Sequence, residues 1–280
     1  MNEHQTLSAG EALRQAIIDA LREIETRLAG DEIAAIDVHR ARRAAKRARS
    51  LSRLAPPELA ALADNTRRSV RRMRRALGAA READVRAATL ATLAPKLGDA
   101  RETLARLSRN RPCADCPKAD HAALREELAA LIRDWSLCEA TGDLDDIIAA
   151  AGETYRRMRK RAKTARNGDR AALHRWRTAV VDFEYAADFL ARYAPDMERT
   201  RRDADRLRKH LGEINDLDDL LTHVAGGDGV HDERAALRRL EKVSAARCAR
   251  LSERAFEQAA RLLDDKPSKW MKKLRRSCAR

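Results

Sequence analysis

Aromatic residues are almost missing from this chain: three Trp, three Tyr and three Phe make up 3% of its 280 residues. With 44% hydrophobic residues overall, the core has to be built mainly from Ala and Leu, which suits closely packed helices. Only 7 Pro and 11 Gly punctuate the sequence, and a β-rich fold finds almost no support. No stretch approaches the ~20 apolar residues that a membrane span requires. The N-terminus, MNEHQTLSAGEALRQ, lacks a basic segment followed by an apolar run, so a cytosolic protein is expected. The five cysteines (Cys113, Cys116, Cys138, Cys248, Cys278) are odd in number and irregular in spacing. That fits a reducing compartment better than a disulfide framework, and no bridge is expected.

Acidic residues are outnumbered. Lys and Arg total 58 against 44 Asp and Glu, a formal charge of +14. Such an excess favours an anionic partner without choosing among nucleic acid, membrane surface and phosphate polymer. A solvated Arg-rich surface would give the same total, so the distribution has to decide.

Read for helical periodicity, the chain divides into roughly ten segments, with breaks near Gly30, Pro56-Pro57, Gly98, Pro112–Pro117, Gly142, Gly168, Pro195 and Gly226–Gly229. Two landmarks recur. VHRAR around His39 returns as LHRWR around His174, 135 residues on; Leu77-Gly78 and Asp84 return as Leu211-Gly212 and Asp218, 134 on. Two separate motifs sharing nearly one offset point to an internal duplication. The expected architecture is one continuous all-α domain of two pseudo-symmetric helical bundles, residues 1–140 and 141–280.

At 100° per residue, His39, Arg42, Lys46, Arg49 and Arg53 form one stripe flanked by Arg40, Arg43 and Arg47, while Val38, Ala41, Ala44, Ala45, Ala48, Leu51 and Ala55 hold the opposite arc. From His39 to Arg53 there are seven cations and no acid. Like charges at helical spacing repel by ~0.2–0.5 kcal/mol per pair, and a polyanion neutralising the stripe makes sense of that cost. The run from Arg67 to Arg81 repeats the theme, with Arg68, Arg71, Arg72, Arg75 and Arg81 as candidate contacts; Tyr155–Arg166 adds Arg156, Arg159 and Lys163. Three such helices would line one channel if the bundle brought them together. Arg suits the task because its planar fork donates two hydrogen bonds to phosphate oxygens. His39 and His174 are open to three roles, donating to phosphate, capping the helix or packing in the core. Their recurrence in phase with Arg42 and Arg177 favours the first.

These residues resemble the CHAD family, the conserved histidine α-helical domain. The likeness rests on His39, Arg42, Lys46, Arg47 and Arg49; on Leu77, Gly78, Arg81 and Asp84; and on His174, Trp176, Arg177, Tyr185 and the Leu211-Gly212 to Asp218 segment. It implies two helical bundles with a basic surface between them that binds inorganic polyphosphate, association with polyphosphate granules, and no catalytic role or cofactor. The second half departs from the pattern. Val181 stands where the family usually has Lys, and Asp182, Glu184 and Asp188 lie along or near the stripe. The first-half helix is therefore expected to dominate binding, assisted by His174, Arg177, Arg202 and Lys209.

Nucleic-acid binding is the alternative, but no aromatic stacking platform or recognisable DNA- or RNA-binding motif supports it. Polyphosphate hydrolysis would need metal-binding carboxylates or an activated nucleophile within the basic runs, and these hold neither. Cys113-x-x-Cys116 with His121 and Cys138 has partial zinc spacing but lacks a second Cys pair, so a reduced loop is expected. Asp143, Asp145 and Asp146 read as the start of a helix. The tail KPSKWMKKLRRSCAR reads as a closing helix packed through Trp270, the alternative being contact with an anionic surface.

Overall fold

The computed structural model describes residues 7–30, 33–110, 120–140, 142–225 and 231–279, and at 79–82, 110, 121, 231 and 232 the backbone alone. Among the described residues there are eleven α-helices and no strand: α1 (Ala9–Arg27), α2 (Ala35–Leu51), α3 (Ala60–Ala76), α4 (Ala79–Leu97), α5 (Ala100–Asn110), α6 (His121–Leu137), α7 (Leu144–Arg166), α8 (Arg170–Leu190), α9 (Asp196–Ala225), α10 (His231–Leu262) and α11 (Pro267–Cys278). The fold is all-α. The breaks at Gly30, Pro56-Pro57, Gly98, Gly142, Gly168 and Pro195 fall between helices. Those around 112–117 and 226–229 lie outside the described residues, as do Cys113 and Cys116.

Local chemistry explains several helix starts. Ser8 and Glu11 form a reciprocal capping box at α1, and Asp143 with Asp146 forms another at α7. The Asp143 cluster is thus a helix start, with Asp145 additionally paired to Arg275. Asp169 accepts from the Ala172 N–H at 2.8 Å to open α8. Leu77-Gly78 marks a break that periodicity did not reveal: α3 ends at Ala76 and α4 begins at Ala79, whereas Leu211-Gly212 lies inside the unbroken α9.

Packing repeats along the chain. α1 lies against α2 and α6, and α7 lies against α8 and α11 in the same order; α2 and α8 then pack on each other. Ala41, Ala44, Ala45 and Ala48 are at most 2% exposed, so the small-residue arc of α2 does face its neighbours as the periodicity required. With only Cβ atoms there, α2 can sit close to both. The last helix of each set contributes a Trp to the core: Trp135 on α6 donates to Thr66 Oγ1 at 2.8 Å, and Trp270 on α11 stacks on Tyr155 with ring centroids 4.9 Å apart. The C-terminal segment is therefore a closing helix. Among the described residues, no helix is long and apolar enough to cross a membrane.

Candidate functional site

His39 and His174 occupy the fifth position of α2 and α8 and are both exposed. His174 Nδ1 lies 2.5 Å from Asn215 Oδ1 on α9, and Asn215 Nδ2 donates to Asp219 at 2.9 Å. Asn215 was not visible as a partner in sequence because its counterpart across the repeat, 134 residues earlier, is Arg81. The side chain of Arg81 lies outside the described residues.

Three residues on from each histidine, an arginine reaches towards the Leu-Gly landmark. Arg42 Nη1 donates to the Arg74 carbonyl at 2.7 Å, satisfying an oxygen in the last turn of α3. Arg177 lies across Gly212, where an added Cβ would come within 3.6 Å of its Nε. The side chain of Arg74 is half-buried. Burial, together with Arg49, Arg42 and Arg177, pulls its guanidinium down to about 10. It stays charged at neutral pH, so the shift registers crowding of cations from α2, α3 and α8 around a partly desolvated point. Arg74 belongs to the basic run Arg67–Arg81 but is not one of the candidate contacts read from the sequence.

The far end of the α2 stripe behaves differently. Asp182 of α8, 1% exposed, sits among Arg49 (2.8 Å), Arg53 (2.9 Å) and Arg157 of α7 (3.3 Å), and also accepts from Ser50 Oγ at 2.9 Å. Burial lowers Arg53 to about 10 against the pull of Asp182. Glu184, two residues along, lies 2.7 Å from Arg208 of α9 and bears on Lys46. Tyr185, raised by burial and by Glu184, is hydrogen-bonded by Arg43. The cationic stripe, expected to meet a polyanion along its length, is thus answered by α8 over its C-terminal half. Arg49 is buried inside the molecule, not presented to a groove, because the acids that interrupt α8 lie opposite it.

Other predicted contacts scatter. On α3, Arg68, Arg71 and Arg75 are exposed, whereas Arg72 pairs with Glu127 of α6. Arg47 is half-buried on α2. Of the Tyr155–Arg166 run, Arg157 joins the α2 arginines at Asp182, whereas the three residues singled out from the sequence do not. Arg156 pairs with Glu153 on its own helix, Arg159 donates to the carbonyls of Leu263 and Asp265 beyond α10, and Lys163 borders a small groove with Phe256. Lys209 pairs with Asp205 at 2.8 Å. Arg202 lines a separate cleft of about 590 Å³ between α9, α10 and α11. At 100° per residue it points well away from Arg208 and Gly212.

Among the described residues no group of three or more His, Cys, Asp or Glu is placed to hold a metal ion. Cys138 is instead hydrogen-bonded to the Trp135 carbonyl at 3.3 Å.

Comparison with known proteins bears on the family and the fold. The family model described as CHAD domain matches residues 11–225. The crystal structure of the CHAD domain from the plant Ricinus communis is similar at 20% identity and a TM-score of 0.64, over 95% of this chain and 96% of that one. No curated protein matches.

Proposed function

The chain belongs to the CHAD family, and from that premise we propose that it binds inorganic polyphosphate, without transforming it, on the basic surface formed where α2, α3 and α8 meet. The observation that carries this reading is the approach of Arg42 to Arg74, whose carbonyl its Nη1 reaches at 2.7 Å, with Arg177 of the other half bearing on the same partly desolvated guanidinium. Phosphate oxygens accept the forked donors of such guanidiniums in pairs. The exposed Arg43 of α2 and Arg68, Arg71 and Arg75 of α3 extend the positive surface beyond that point. The same reading proposes a cytoplasmic protein that associates with polyphosphate granules. Non-catalysis is part of it: the acids at the basic surface, Asp182 and Glu184, are engaged by arginines.

Charge reversal tests the reading. Changing Arg43, Arg71 and Arg75 together to Glu is expected to weaken binding of long-chain polyphosphate and to flatten the log–log salt dependence by about one per lost contact. The same reversal at Arg199 and Arg261, which border the α9–α11 cleft, is expected to leave binding nearly unchanged. Equal affinity in the first variant sinks the proposal. Preference for duplex DNA over polyphosphate at physiological salt transfers it to nucleic acid, and phosphate release with Mg²⁺ present overturns non-catalysis.

A further inference from the structure

Asp182 offers two carboxylate oxygens to three guanidiniums and a hydroxyl. Oδ1 takes Arg49 Nη2 and Ser50 Oγ at 2.8 and 2.9 Å; Oδ2 lies 2.9 Å from Arg53 Nε and 3.3 Å from Arg157 Nη2. Three guanidiniums around one carboxylate leave a surplus of positive charge. Ion pairing meant only to stabilise the fold gains little from such an excess, since buried charges are favourable when matched and costly when not. A phosphate group is the ligand this cage suits by chemistry: it carries more charge than a carboxylate, and more acceptor oxygens for forked donors.

The sequence adds a second, independent observation. Eight residues after His39 stands Arg47, and eight after His174 stands Asp182; ten residues on, Arg49 corresponds to Glu184. Acids in α8 thus stand at positions where α2 carries cations. Both are directed inward: Asp182 is 1% exposed, and the Glu184 side chain, 14% exposed, lies against Arg208.

We propose that Asp182 is a specificity-determining residue that holds, from within the chain, the place a phosphate group would take among Arg49, Arg53 and Arg157, and so ends the polyanion track midway along α2. This rests on the polyphosphate reading. The bound polymer then follows Arg42, Arg43, Arg74 and Arg177 and does not continue beside the C-terminal half of α2. Glu184 repeats the device between Lys46 and Arg208.

Removing the carboxylate tests this directly. Asp182→Ala is expected to melt at lower temperature than the unaltered protein in chloride, and to recover selectively when chloride is replaced by orthophosphate or sulfate at equal ionic strength. Both anions stabilise folded proteins in general, so the recovery is read as the excess over that of the unaltered protein. With long-chain polyphosphate the variant is expected to show a salt dependence steeper by about one for each phosphate newly engaged. Asp182→Asn, which fills the same volume and keeps an acceptor, is expected to show a smaller loss and a smaller recovery. Failure of Asp182→Ala to fold in chloride with folding in phosphate supports the proposal. No excess recovery in either variant overturns it, as does an unchanged salt dependence. The recovery does not require polymer binding by the unaltered chain. Absent polymer binding therefore removes the proposed function, while absent recovery removes the role of Asp182.

Discussion

The helices α2 and α8 begin alike and end as opposites. Each opens with a histidine at its fifth position and an arginine three residues later; Arg42 reaches the Arg74 carbonyl in the last turn of α3, and Arg177 lies across Gly212 of α9. Beyond that, α2 continues with Lys46, Arg49 and Arg53, while α8 continues with Val181, Asp182 and Glu184. In isolation the second helix looks like a degraded copy. Packed together, the two are complementary, because the acids of α8 lie against the cations of α2. A charge stripe read along one helix overstates what is offered to a ligand when the neighbouring helix answers half of it.

The halves also differ in how they are held together. Eight of the nine aromatic residues follow residue 150, and Trp135 alone precedes it. Trp135 and Trp270 stand 135 residues apart on the closing helices α6 and α11. Trp270 stacks on Tyr155 and meets Phe183 edge-on, at centroid distances of 4.9 and 5.6 Å. Trp135 makes a hydrogen bond to Thr66 but no such ring contact among the described residues. Truncating either to Ala is expected to cost about 3–5 kcal/mol. The Trp270 variant should lose the more, because ring contacts add about 0.5–1.5 kcal/mol beyond area burial. Urea denaturation of the two variants makes the measurement, and a larger loss at Trp135 would reverse the ranking of the halves.

The all-helical fold was legible because few residues break it and Ala arcs recur at helical spacing; Ala41, Ala44, Ala45 and Ala48 are buried as that spacing required. The inward turn of Arg49 was not legible, since the acid that binds it lies 133 residues away and its facing depends on how α2 crosses α8. Arg159 escaped for the same reason: its acceptors are carbonyls at the end of α10, and backbone oxygens leave no mark in sequence. The break at Leu77-Gly78 had no local signal either, because the same dipeptide continues a helix at Leu211-Gly212.

The next contrast lies within the second half, where α8 and α9 hold two acids of opposite tendency. Burial raises Glu184, with Arg208 opposing, whereas hydrogen bonds from Lys209 and Arg208 outweigh burial to lower Asp205. A carboxyl raised on folding contributes stability below its unfolded pKa and loses that contribution as pH rises through the folded value; a lowered one does the reverse. The stability difference between the unaltered protein and Glu184→Gln should therefore decline as pH rises above the usual glutamate range. For Asp205→Asn it should grow on leaving the acid range. Parallel pH profiles for the two variants would mean that Arg208 governs both acids equally.

The smallest effect is expected where the repeat is most alike in sequence and least alike in shape. Gly212 sits mid-helix in α9, beneath Arg177, and a Cβ there meets Nε and Nη2 of that arginine at 3.6 and 3.7 Å, ordinary contact distances. Ala in place of Gly favours a helix interior by up to about 1 kcal/mol, so Gly212→Ala should raise stability by no more than that. The methyl group would occupy the surface on which the guanidinium rests, without forcing it away. Polyphosphate affinity should accordingly change far less than in the charge-reversed variant. A large loss of affinity with unimpaired folding would show that Arg177 needs the bare helix face, and that the second half contributes more to binding than its altered stripe suggests.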